Sequence, residues 1–177
     1  MAGRFSMGGD WAGHYVSHYT ERPEGPVFGV TARLVEVAGA FNGTMVDLEP
    51  SYEVPLNSYL LRMELEDQRR ARAYLESFKN ITVRMTLPQR ARIDGRWNNG
   101  SIEFVKRYEG AQTIEWLSEG KVITIQKVEN HCVHYQGRLN PQGDVLDGKW
   151  RVRAQGLAGL FGKTNGEGTF HLVRQSS

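Results

Sequence analysis

Lys106 is the residue whose position carries the clearest chemical consequence. In the stretch SIEFVKRYE, Ile102, Phe104 and Tyr108 alternate with Glu103, Arg107 and Glu109, and the same period of two carries Lys106 onto the apolar side. An isolated ammonium is costly to bury, so an inward Lys106 requires a partner. Asp47, in FNGTMVDL, falls on the face of Phe41 and Met45 by the same rule and is the expected partner. Tyr108, Trp116 and Tyr135 are the expected aromatic neighbours, and His131 shares a face with Tyr135. Together these residues form a candidate ligand site, a polar anchor in an aromatic cavity. The competing reading lets Lys106 extend its ammonium to the rim, where water solvates it.

Other stretches suggest chemistry and then withdraw it. Lys106, Asp47 and His131 could serve as acid–base groups, but no nucleophile, base and orienting group are arranged together, and no catalytic residue is assigned. GLAGLFGKTNGEG resembles a phosphate-binding loop, yet the required first glycine falls on Leu157, and Gly166 and Gly168 would break the helix such a loop needs. A hairpin loop with Leu157, Leu160 and Phe161 near its tip is the expectation. In HCVHY, alternation puts Cys132 and His134 on one face and His131 with Tyr135 on the other, so at most two could share a metal; no metal site and no cofactor are assigned.

The motif of an apolar residue, Asp-Gly, a base and a Trp occurs twice, as RIDGRW and LDGKW. Gly95 and Gly148 share a face with Trp97 and Trp150, while Asp94 and Asp147 take the opposite one. A strand glycine lets a sheet bend sharply or lets a large side chain lie on bare backbone. The repeat therefore reads as barrel-corner architecture, with carboxylates pointing away from any interior.

The elements that must position these residues are strands. VFGVTARLVEV, ITVRMTL and the opening stretches all alternate with period two. Ala38-Gly39-Ala40, Asn98-Asn99-Gly100, Ser118-Glu119-Gly120 and Asn140-Pro141-Gln142-Gly143 join them through tight turns. One segment departs from the period. After a strand-like SYLLRMELE, residues 67–79 place Ala71, Tyr74, Leu75 and Phe78 at helical spacing, with Asp67 as candidate N-cap. The expected fold is all-β: an antiparallel meander of eight to ten strands closing into a barrel, with one short mid-chain helix, as a single domain over residues 1–177.

Composition narrows the partners. The chain has 22 Lys and Arg against 20 Asp and Glu, a balance that gives no reason to expect nucleic-acid or membrane-surface binding. Arg69, Arg70 and Arg72 cluster beside Glu64, Glu66 and Asp67, the pattern of a solvated face. The lone Cys132 cannot form an intrachain disulfide, and MAGRFSMGGDW lacks the apolar core of a signal peptide. The expected location is cytoplasmic, and the sequons at Asn42, Asn80 and Asn99 are read as chance matches.

GGDWAGHYV places Gly9-Asp10-Trp11 at the start of the first strand, and the last strand, GTFHLVR, ends in Arg174. A G-x-W opening and a basic residue closing the barrel resemble the calycin-like barrels, the lipocalins, fatty-acid-binding proteins and avidins. The resemblance implies that Trp11 and Arg174 pack together to seal one end, and that the barrel binds a small molecule. A haem-binding barrel similar to nitrobindins would use His171 as axial ligand, but parity turns His171 to the face opposite Phe170 and Leu172. The resulting expectation is a protein that holds a small apolar or aromatic ligand bearing a polar group. The alternatives are an enzyme on the same barrel and a protein-interaction module whose barrel is filled by its own side chains.

Overall fold

The computed structural model describes residues 6–18, 27–60, 65–129, 132–153 and 164–176. In chain order the elements begin with β1 (Gly9–His18), β2 (Val27–Val37), β3 (Ala40–Asp47), β4 (Ser51–Pro55), α1 (Leu56–Leu60) and α2 (Leu65–Leu75). They continue with β5 (Ile81–Thr86), β6 (Arg90–Asn98), β7 (Ser101–Tyr108), β8 (Gln112–Ser118) and β9 (Lys121–Val128). The last three are β10 (Val133–Leu139), β11 (Val145–Arg153) and β12 (Thr164–Arg174).

Eight of these strands close into an antiparallel barrel in the order β1-β12-β11-β10-β7-β6-β3-β2. Each barrel strand pairs with the next barrel strand along the chain, so the barrel is a strict meander. The other four strands form a separate sheet, β4-β5-β8-β9, contributed by the two excursions after β3 and after β7. The chain divides into two compact units. One is Met1–Glu49, Gln89–Glu109 and His131–Ser177; the other is Pro50–Pro88 with Gly110–Asn130. Excursion strands such as ITVRMT alternate just as barrel strands do, so periodicity alone assigns them to no particular sheet.

Turn chemistry sets the register. Ala38-Gly39, Asn99-Gly100 and Glu119-Gly120 each hold two successive positive φ angles, between 50° and 82°, which matches the twist of the hairpins they close. In the β10–β11 turn the Asn140 side chain accepts hydrogen bonds from the backbone N–H groups of Gly143, Asp144 and Val145 at 2.9–3.1 Å.

The second unit has its own core. Ala71 and Leu75 of α2 pack with Val54, Leu60, Val83, Ile114 and Trp116. The helix expected over 67–79 therefore exists with its apolar stripe on a sheet, but it runs from Leu65 to Leu75. Asp67 lies inside its first turn, where a carboxylate still complements the helix dipole. The strand-like reading of SYLLRMELE is replaced at its start by α1, a single turn whose Leu60 is fully buried. Residues 61–64 lie outside the described residues, as do residues 154–163, which hold the expected loop tip with Leu157, Leu160 and Phe161.

In the barrel the inward residues follow strict alternation: Phe28, Val30, Ala32 and Leu34 on β2, and Ile102, Phe104 and Lys106 on β7, are all buried. Curvature is the tight constraint. A Cβ on Gly148 would sit 2.2 Å from the Gln136 carbonyl oxygen and 2.6 Å from the Phe170 ring. On Gly95 it would meet the Phe41 ring at 2.4 Å and the Glu103 carbonyl oxygen at 2.7 Å. The strands bend there until a neighbour's backbone occupies the volume of a side chain, and aromatic rings cover the bare surface. Asp94 and Asp147 point outward, to Arg107 at 2.9 Å and His171 at 2.6 Å. Trp150 is buried and donates from Nε1 to the Val16 carbonyl at 3.0 Å; Trp97 is half-buried.

One end of the barrel is pinned by its terminal strands. Trp11 is buried and its indole donates to the Met7 carbonyl at 3.1 Å. The Arg174 guanidinium lies 4.6 Å from the Trp11 ring centroid and donates to the carbonyls of Ser6, Gly8 and Gly143. A cation over an indole contributes about 0.5–2 kcal/mol, more as it is desolvated.

The two halves of the Asp-Gly repeat should respond differently to substitution. Gly148→Ala should destabilise the protein by about 1–3 kcal/mol, the range for overpacking. Asp147→Ala, which removes an exposed pair, should cost less than about 1 kcal/mol. Urea melts of both variants measure this, and equal costs would contradict the assignment.

Candidate functional site

The interior polar site is built at the barrel end opposite the Trp11–Arg174 contact. Lys106, near the end of β7, stands across from Ile93 of β6 and Val133 of β10. Asp47, the last residue of β3, pairs with Val30 and is anchored by its own N–H, which donates to the Gln89 carbonyl at 2.8 Å. Between their strands runs β6, whose inward residue Ala91 is fully buried and small. The Lys106 Nζ donates to Asp47 Oδ1 at 2.5 Å, and both side chains are 0% exposed. The pair inferred from alternation is thus present and fully enclosed, and Lys106 does not reach the rim.

Aromatic rings surround it. The Lys106 Nζ lies 4.4 Å from the Tyr108 ring centroid and 5.3 Å from that of Tyr15. Tyr135 stacks on Phe104 at 4.4 Å between centroids, and Phe170 meets both rings edge-on. Tyr15 stacks on Phe28 at 4.9 Å. The electrostatics follow from burial. Desolvation holds the Lys106 ammonium below its ordinary pKa, opposed by the attraction of Asp47. Burial pushes the Tyr108 and Tyr135 hydroxyls well above 10, and the nearby Tyr15 and Asp47 add to the effect. Part of the Tyr108 side chain reaches solvent, but its hydroxyl is on the enclosed side, close to Asp47. Even so, among the described residues no donor of regular hydrogen-bond geometry reaches Asp47 Oδ2.

The structure brings together Asp47, Lys106, Tyr108 and Tyr135 of the expected set. Trp116 is placed elsewhere: it belongs to β8, in the core of the second unit, edge-on to Tyr59 at 6.0 Å. His131 lies outside the described residues. Tyr15 was not among the expected site residues, although the alternation Trp11, Gly13, Tyr15, Ser17 marks it as inward. Two hollows open on the outer wall, of about 280 and 620 Å³; Gln136, Lys149 and Thr169 line both, and neither is lined by Lys106, Asp47 or the three tyrosines. Cys132 is exposed, and His171 is on the outer wall with Asp147, as parity requires. Among the described residues no three His, Cys, Asp or Glu side chains converge on a metal position, and no helix is long and apolar enough to cross a membrane.

Comparison with known proteins finds no matching family model, curated protein or solved structure. The chemistry of the site has to be read from its own geometry.

Two measurements test that geometry. Lys106→Met alone strands the buried Asp47 and should cost about 3–5 kcal/mol, whereas Lys106→Met with Asp47→Leu should be close to neutral. A double-mutant cycle from denaturant melts should give coupling well above about 0.5 kcal/mol. The tyrosines give a pH signature. Their folded pKa values are raised, so the stability they contribute is complete below pH 10.0 and is lost as pH rises above it. Each removes up to about 1.4 kcal/mol per pH unit while only the unfolded form ionises. Lys106 has the opposite sign, because its lowered pKa adds stability as pH rises toward 10.5. Net loss should therefore dominate above pH 10.5, and Tyr135→Phe should make the decline in ΔG there shallower.

Proposed function

We propose that the barrel is a small-molecule-binding module that holds an apolar or aromatic ligand bearing one polar group beside the Lys106–Asp47 pair. What supports this reading is Asp47 Oδ2: beside the Tyr108 hydroxyl, it is a buried carboxylate oxygen that no donor of regular geometry reaches, and a well-aligned ligand donor would satisfy it. The pair itself points the same way. Apolar side chains of similar volume stabilise an interior as well as a buried ion pair or better, so stability alone gives little reason for one here. A calycin-like identity belongs to the same reading, supported by the Trp11–Arg174 contact at one end of an eight-stranded meander. So does a reducing, cytoplasmic setting, supported by the exposed, unpaired Cys132.

A second reading, a protein-interaction module with a filled barrel, is favoured by the rings of Phe41 and Phe170 resting on glycine backbone. One experiment separates the two. Native mass spectrometry of the purified chain with N-phenyl-1-naphthylamine, an aromatic probe with a single N–H donor, should give a one-to-one complex with saturable fluorescence. Replacing Asp47 by Leu together with Lys106 by Met should weaken binding about tenfold, the effect of losing one hydrogen bond to a charged group. No saturable binding, or binding indifferent to the double variant, would favour the filled barrel.

A further inference from the structure

We infer that Lys106 is an imine-forming residue, and that the polar group of the ligand is an aldehyde or ketone carbonyl. This rests on the binding reading above and names the ligand's chemical class. The first observation is the amine's setting. Lys106 Nζ is enclosed with a single ionic partner, Asp47 Oδ1 at 2.5 Å, and the rings of Tyr108 and Tyr15 form the wall beside it. No second cation competes for Asp47 among its described contacts. The second observation is the arrangement of the carboxylate, with one oxygen holding the ammonium and the other, Oδ2, beside the Tyr108 hydroxyl but reached by no donor of regular geometry. That arrangement has a receiver for a proton and a receiver for a newly formed hydroxyl within one side chain.

The atoms balance without any further reactant. The Lys106 ammonium passes a proton to Asp47, and the neutral amine adds to the carbonyl carbon, forming a C–N bond as the C=O π pair moves to oxygen. The alkoxide takes one of the nitrogen's protons, and the resulting carbinolamine hydroxyl donates to Oδ2. It then leaves as water with the proton that Asp47 received. The nitrogen lone pair closes the C=N bond, leaving a protonated imine and one water from an ammonium and a carbonyl. Asp47 is ionised again and lies beside the iminium as its counter-ion. Desolvation of the amine favours the sequence, because a lysine out of water yields its proton more readily than a solvated one. The surrounding apolar rings protect an imine from hydrolysis by excluding water.

The test uses the full chain with benzaldehyde and sodium cyanoborohydride, which reduces an iminium to a stable benzylamine, followed by peptide mapping. Binding of benzaldehyde and of benzyl alcohol, which has no carbonyl, is followed in parallel by tyrosine fluorescence. The expected result is one benzyl group per chain, on Lys106, at least tenfold faster than on any other lysine. Asp47→Asn should slow that labelling at least tenfold. Lys106→Arg should abolish it; because that variant could fail to fold, the site mapped in the unmodified chain is the primary readout. Saturable binding of both probes without labelling of Lys106 would overturn the imine and leave the binding reading intact. Absence of both binding and labelling would overturn both, and even labelling across all lysines would overturn the imine.

Discussion

Closing eight short strands into a barrel forces them to bend until backbone meets backbone, and the interior chemistry follows from that constraint. At Gly148 and Gly95 a neighbouring carbonyl occupies the place of a methyl group, so only glycine fits. Bare backbone on the inner wall then leaves space that large rings fill, and the rings of Phe41 and Phe170 lie against it. Those rings make the interior apolar enough that one ammonium and one carboxylate can persist there only together. Curvature, aromatic filling and ion pairing are thus successive consequences of a single closure.

The pair is unusual because neither member has water to fall back on. A surface ion pair such as Arg33–Asp10, at 2.7 Å and well exposed, contributes little, since water solvates each partner almost as well. Lys106 and Asp47 have lost that alternative, and their attraction is set against a large desolvation cost. The rings of Tyr108 and Tyr15 face the ammonium, and the Tyr135 hydroxyl is buried near Tyr15 and Asp47. Surface pairs differ in kind: Arg92 with Glu109 on the barrel is exposed, and in the second unit Arg84 pairs with exposed Glu53 and part-buried Glu115.

Much of this was legible because strand alternation is binary. Once Phe104 is inward, Lys106 must be, and once Met45 is inward, so must Asp47. The same rule excluded His171 from the interior and separated Gly95 and Gly148 from their neighbouring aspartates. What alternation cannot supply is the sheet to which a strand belongs. Trp116 alternates as a barrel residue would, yet its strand pairs with β5 and β9 and its ring joins a different core. The register shift between Trp116 and Leu117 further obscures the pattern there. The start of SYLLRMELE reads as strand although it completes α1, because five residues hold too little of either period to separate helix from strand. Tyr15 shares the parity of Trp11 and is inward by the same rule.

The pairing of β1 with β12 has a consequence for the making of the protein. As a chain leaves the ribosome, β1 and β2 can form their hairpin early, but the other edge of β1 stays unpaired until the last strand has been synthesised. Through most of translation the nascent barrel is an open, curled sheet with an unsatisfied edge and uncovered aromatic side chains, the kind of species that associates with its own kind. Trp11 and Arg174 meet at the completion of this wait. Their contact is a seam that joins the earliest and latest strands of the barrel, and it can be sewn only once.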